Sequence, residues 1–142
     1  MAASDHLPGN SDRDRPSSET STRCLREQSQ RDFEVEFLGR ILDRDPFYVD
    51  ALRVQANNLA RRGESTRALQ LDRRLTRLQP DRPIPWYNLA CSYAVLGMID
   101  PAFDALTRAV DLGYHHFRHM LRDPDLKSLR QDPRFARILR RG

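Results

Sequence analysis

The sequence is short of nearly everything that marks a stapled, membrane-spanning or catalytic protein. It has two cysteines, Cys24 and Cys91, too few for a disulfide framework and not at metal-binding spacing. No run approaches the roughly 18 apolar residues of a membrane span. The N-terminal stretch holds no apolar segment of the secretory kind. A reduced, cytoplasmic protein is the expectation. There is no nucleophile elbow, phosphate loop, His-Glu-x-x-His or Cys-x-x-Cys. The carboxylates read as helix caps or surface charges, so neither enzymatic activity nor a cofactor is expected. His115, His116 and His119 form the one metal-like cluster. No cysteine or carboxylate stands at a fitting spacing, so they read as a solvated turn and no metal is expected.

Lysine is almost missing as well: of 24 basic residues only Lys127 is not arginine. The chain of 142 residues carries a net charge of +4, unevenly placed. From residue 113 onward seven arginines and Lys127 face only three aspartates. Large aliphatic residues are lacking at the other end, where Leu7 and Leu25 stand alone before residue 31. Such a stretch buries too little surface to offset its ordering entropy, so residues 1–30 are expected to be disordered.

What is present is a repeat. Trp86, Leu89, Ala90, Tyr93 and Leu96 recur at helical spacing on one stripe. Gly97 can end that helix in a left-handed turn, and Asp100-Pro101 reads as the cap and first turn of the next. Ala102, Ala105, Leu106, Ala109 and Leu112 form its stripe. The interval that separates Gly63 from Gly97 also carries Ala90, Tyr93, Ala102, Ala109 and Leu112 back onto Ala56, Leu59, Ala68, Leu75 and Leu78. One more such step carries Leu71, Leu75 and Pro80 back onto Phe37, Ile41 and Pro46. A period of about 34 residues is that of a repeated helical hairpin. A hairpin this short cannot bury both its stripes alone and needs stacked neighbours.

At these residues the chain resembles the tetratricopeptide repeat family. Trp86, Leu89, Ala90, Tyr93, Gly97, Ala102 and Ala109 fill one repeat of its pattern; Ala56, Gly63, Ala68 and Pro80 mark the repeat before. That earlier repeat departs from the pattern at Leu52, Gln55 and Asp72, where the family has Trp, Leu and an apolar residue. The resemblance implies an all-α solenoid. It has a half repeat at 32–46, whole repeats at about 49–82 and 83–116, and a helical cap at 117–141, all within a domain spanning 31–142. Trp86 is expected to pack between the whole repeats.

Element by element, a helix is expected over about 30–44, with Phe33, Phe37, Leu38, Ile41 and Leu42 buried. Asp45-Pro46 should open a helix to Arg62. The next should run from Ser65 to Leu78, and Asp81 with Pro83 and Pro85 should open the Trp86 helix. Asp123-Pro124 and Asp132-Pro133 each read as a helix cap followed by a first-turn proline. They belong to closing segments whose apolar faces are Phe117, Met120 and Leu121, then Leu126 and Leu129, then Phe135, Ile138 and Leu139. This ending is similar to the cap that closes many bacterial tetratricopeptide arrays, where a terminal unit must turn a polar face outward.

The resemblance further implies a protein- or peptide-binding adaptor or assembly module. One branch of the family clamps a C-terminal carboxylate with basic and asparagine side chains. On the repeat register those positions are Arg53, Asn57, Asn88, Arg118 and Arg122, donors suited to a carboxylate or acidic peptide. Two other readings compete. The arginines Arg130, Arg134, Arg137, Arg140 and Arg141 suggest phosphate contacts and a nucleic-acid partner. The half repeat, without its hairpin partner, suggests self-association. Limited proteolysis tests the domain boundary: residues 1–30 should be removed early while 32–140 survives as one folded fragment. Unfolding of the trimmed protein would refute the boundary.

Overall fold

The computed structural model describes residues 18–142, and among these every regular element is helical. Helix α1 is Ser18–Arg44, α2 Val49–Arg61, α3 Ser65–Leu78, α4 Pro83–Val95, α5 Ile99–Asp111, α6 Phe117–Arg122 and α7 Pro133–Arg141; a 3-10 helix, Pro124–Leu129, lies between α6 and α7. The chain divides into two compact units, one ending at Phe33 and one spanning Glu34–Gly142.

In the first unit the described residues are helical from Ser18, which corrects the expectation of disorder over residues 18–30; the part of that expectation before Ser18 lies outside the described residues. Burial is not the cause, since residues 18–30 are all exposed. The stretch from Ser18 to Phe33 contains neither glycine nor proline, has Glu19 in its first turn, and ties Arg23 to Glu27 one turn on at 3.2 Å. Extending an existing helix fixes one residue per hydrogen bond gained, so weak local terms suffice.

The second unit is a stack of hairpins. Helices α2 and α4 begin one repeat period apart, as do α3 and α5. Both hairpins turn at a glycine with positive φ, Gly63 at 77° and Gly97 at 74°. At the first, Glu64 N–H donates to Leu59 O and Gly63 N–H to Ala60 O; at the second, Met98 N–H donates to Tyr93 O and Gly97 N–H to Ala94 O. This paired bonding satisfies the last carbonyls of each helix and requires a left-handed residue, where a Cβ is penalised.

Helix α4 is the centre, packed against α3, α5 and the 3-10 helix. It buries Pro85, Tyr87, Leu89, Ala90, Cys91, Ser92 and Ala94. The α4–α5 seam is lined with small side chains: Ala90, Ala102 and Ala109 have no exposed surface, and Leu106 fills the space between. Beyond α5, Met120, Leu126, Leu129, Phe135 and Ile138 close the end of this core. Asp123 and Asp132 accept from the backbone N–H groups of Asp125 and Arg134, each at 3.0 Å, so both Asp-Pro pairs cap as the sequence suggests.

Several elements differ from expectation. Phe33 and Phe37 are 68% and 51% exposed, while Val35 is the buried residue of α1. The inward face is set by α2, whose Gln55 Nε2 donates to Val35 O at 2.9 Å and whose Asn58 Nδ2 donates to Glu34 Oε2 at 3.1 Å. Residues 33 and 37 stand about 200° around a helix of this pitch from 35. Helix α2 starts at Val49, not at Pro46, because Asp45 to Tyr48 first makes a turn. The α5 helix starts at Ile99, which places Asp100 inside its first turn rather than at the cap.

Trp86 is half-buried and lies against the edge of the core, not sealed between hairpins. Its indole N–H donates to Pro80 O at 2.9 Å, and the Arg108 guanidinium lies over its ring. The polar edge needs that carbonyl at the α3–α4 turn, which holds the ring at the margin. Leu96 and Leu121, expected on apolar stripes, are exposed.

Two glycines should respond oppositely to alanine. Gly97→Ala forces a left-handed Cβ and should cost about 1–2 kcal/mol. Gly39 lies inside α1, where an added Cβ would meet only Gln55 Nε2 at 3.8 Å, so Gly39→Ala should stabilise by about 0.5–1 kcal/mol. Denaturant unfolding of both variants checks the pair.

Candidate functional site

A groove of about 650 Å³ with mixed polar and apolar walls opens on the second unit. One wall is α2, with Arg53, Val54, Asn57 and Arg61; the other is α4, with Asn88, Cys91 and Val95, continued by Asp123 and Asp125. Three of the α2 positions, Val54, Asn57 and Arg61, recur one repeat later as Asn88, Cys91 and Val95. The spacing of three and then four residues puts each set on one helical face. The repeat therefore presents equivalent faces of two helices to one cavity. Asp72 of α3 and Ser92 of α4 also line it, and both are buried.

Of the five residues expected to converge on a carboxylate, Arg53, Asn57 and Asn88 line this groove and Arg118 and Arg122 do not. Helix α6 has one buried residue, Met120. Positions two before and two after it fall on the opposite side of a helix, so Arg118 and Arg122 are exposed there. The chain leaves α6 at Asp123 and delivers Asp123 and Asp125 to the cavity in place of two arginines.

Asp123 is the best-connected side chain of the site. Its Oδ2 accepts from Tyr87 O–H at 2.7 Å and from Cys91 Sγ at 3.7 Å, and His119 Nε2 lies 3.3 Å from the same oxygen. The Tyr87 ring stacks on Tyr114 with centroids 4.2 Å apart. Cys91, Asp123 and Asp125 bring one ligand-type atom each within 4.8 Å of one another. Burial, then the charge of Asp123, pushes the Cys91 thiol well above the usual thiol range, so the sulfur is a protonated donor and not a nucleophile. Partial loss of hydration, then the neighbouring Asp123, also raises Asp125, although its side chain is exposed.

Asp72 was visible in the sequence only as a break in an apolar pattern. In the fold it is 5% exposed, and its Oδ2 accepts from Ser92 O–H at 2.6 Å. Loss of hydration outweighs that bond and pushes its pKa up to about 6.

The basic C-terminal stripe is largely engaged within the fold. Arg134 bonds Asp132 and Asp100 and lies over the Phe103 ring; Arg141 grips Asp111 at 2.8 Å; Arg130 donates to the backbone carbonyl of Asp123. Among the described residues no helix is long and apolar enough to cross a membrane.

No protein-family model matches the chain. A chloroplastic protein of Arabidopsis thaliana is 37% identical over 54 residues, which is 38% of this chain. The match spans only 16% of the length of that curated relative.

Asp72 makes stability depend on pH. Its carboxyl is held neutral more readily in the fold than in the unfolded chain. Its contribution is therefore fully present below about pH 4 and is lost as pH rises through about 6. At about 1.4 kcal/mol per unit, Asp72→Asn should stabilise the protein by about 1–3 kcal/mol near neutral pH and by nothing near pH 4. Chemical denaturation at both pH values checks this; an equal difference at the two would refute it.

Proposed function

We propose that this protein is a non-catalytic binding module of tetratricopeptide type. It consists of a half repeat, two repeats and a helical cap, and its groove takes an extended segment of another protein. The observation that carries the reading is the recurrence of groove-lining positions at the repeat period, Val54, Asn57 and Arg61 with Asn88, Cys91 and Val95. A repeat that aims equivalent positions of successive helices at one cavity makes a ladder of side chains along it. A ladder matches a ligand that is itself extended and periodic, as a peptide backbone is. Asn57 and Asn88 each offer a donor and an acceptor to such a backbone.

A catalytic role finds little support. The thiol in the groove is held protonated, and its carboxylate neighbour is occupied by structural donors. The nucleic-acid reading is weakened by the internal use of Arg130, Arg134 and Arg141.

A photo-crosslinking amino acid placed at Asn57 or Asn88 in the intact protein, in its own cells, should capture a partner protein. The same group at Arg73 or Asp104, exposed and outside the groove, should not. Capture from the outer positions alone would reject the groove as the binding face.

A further inference from the structure

The charges around the groove are sorted. On the α2 wall stand Arg53 and Arg61; on the α4 and 3-10 side stand Asp123 and Asp125, with Asp72 beneath. The cations do not neutralise the acids. Arg53 bonds Asp50 on its own helix at 3.1 Å. Among the described residues Asp72 and Asp125 have no cationic side chain within ion-pair distance, and Asp123 has only His119. The donors that do reach Asp123 and Asp72 are a phenol, a thiol, a backbone amide and an alcohol. These satisfy lone pairs without adding a positive charge; the cationic groups nearest Asp123 are His119, at its Oδ2, and Arg130, on its backbone carbonyl.

Resting on the reading of the groove as a peptide site, we infer that its ligand carries a lysine or arginine side chain, which docks on Asp125 and Asp123 beside Asn88. This reverses the polarity of a carboxylate clamp at that end of the groove. Two buried carboxylates, Asp72 and Asp123, face this cavity with no lysine or arginine side chain among the described residues within ion-pair distance, which is costly for a desolvated charge, and the exposed Asp125 adds a third acid at its mouth. An incoming ammonium or guanidinium relieves that cost and gains charge-assisted hydrogen bonds. The upward shifts of Asp72 and Asp125 agree with acids that lack a counter-charge. The α2 wall then suits a carboxylate elsewhere on the same ligand, with Arg61 as its donor. A ligand placed this way has a fixed direction along the groove.

The chain as a whole carries +4. Long-range attraction therefore favours acidic ligands, and a preference for cationic ones can only come from the local field of the groove. That makes the sign of the preference diagnostic. Fluorescence anisotropy of the full chain would compare three pools of short labelled peptides, blocked at both ends. The pools are random except for one central position fixed as lysine, glutamate or serine. The lysine pool should bind about tenfold more tightly than the glutamate pool, the factor worth about 1.4 kcal/mol. Asp125→Asn should erase most of that ratio. Asp125 is exposed and uses its backbone, not its side chain, in the cap, so the variant keeps the fold. Asp123 anchors the 3-10 helix and is left intact for that reason. Arg118→Ala should leave all three affinities unchanged.

A preference for glutamate, or a lysine preference untouched by Asp125→Asn, would overturn the inference. If Asn57→Ala and Asn88→Ala still weakened all three pools in that case, the groove would stand as the binding face. No binding by any pool, or binding indifferent to both asparagines, would overturn the groove reading and this inference together.

Discussion

The packing of α4 against three neighbours at once is the constraint on which the rest of the second unit depends. A helix surrounded this way cannot carry large side chains on every face. It buries Ala90 and Ala94 in the same core cluster as Ala102, Ala105 and Ala109 of α5. Leu106 and Phe103 of α5 are the large side chains buried beside them. A larger residue at Ala90 or Ala102 would overpack a seam that has no exposed surface to yield. Between α2 and α4 the stack stays open, and that opening is the groove.

Polar contacts add what the lean core leaves undone. Gln55 and Asp72, both breaks in the apolar pattern, are buried with one hydrogen bond each, to Val35 O and from Ser92. One oxygen of Gln55, Oε1, remains without a partner in the fold. Asp123 joins α4 to the 3-10 helix through Tyr87, Cys91 and Asp125 N–H. Arg134 and Arg141 tie α7 to α5 through Asp100 and Asp111. Pairs as exposed as these contribute little each, but they fix the register of a short terminal helix whose apolar contacts are only Phe135, Ile138 and the edge of Leu139. Arg134 and Arg141 are thus part of the closure.

Much of this architecture was legible in the residues themselves, and the reason is local. Glycine alone accepts the helix-ending turn at Gly63 and Gly97 without penalty, so both hairpin turns could be placed. The Ser65–Leu78 helix and both Asp-Pro caps follow from side-chain chemistry within four residues. The stripe Ala102, Ala105, Leu106 and Ala109 is buried as its period requires. The inner face of α1 is not legible from hydrophobicity, because Phe33 and Phe37 outweigh Val35, while Gln55 and Asn58 on another helix bond Val35 O and Glu34. The helix before residue 31 leaves no trace in the burial pattern, because local terms rather than burial order it.

By itself the sequence determined the all-helical class, the repeat period, the turns and the capping of the C-terminal segments, all set by interactions within a turn or two of chain. Only the tertiary structure decided what faces the groove. Asp123 lies 32 residues from Cys91 and 36 from Tyr87, and no spacing rule links them. Arg118 and Arg122 matched a register that the chain abandons after Gly113, so counting placed them in a cavity from which the burial of Met120 turns them away. The charges around a groove come from elements brought together late: Arg53 and Arg61 from α2, Asp72 from α3, and Asp123 and Asp125 from where the chain turns after α6.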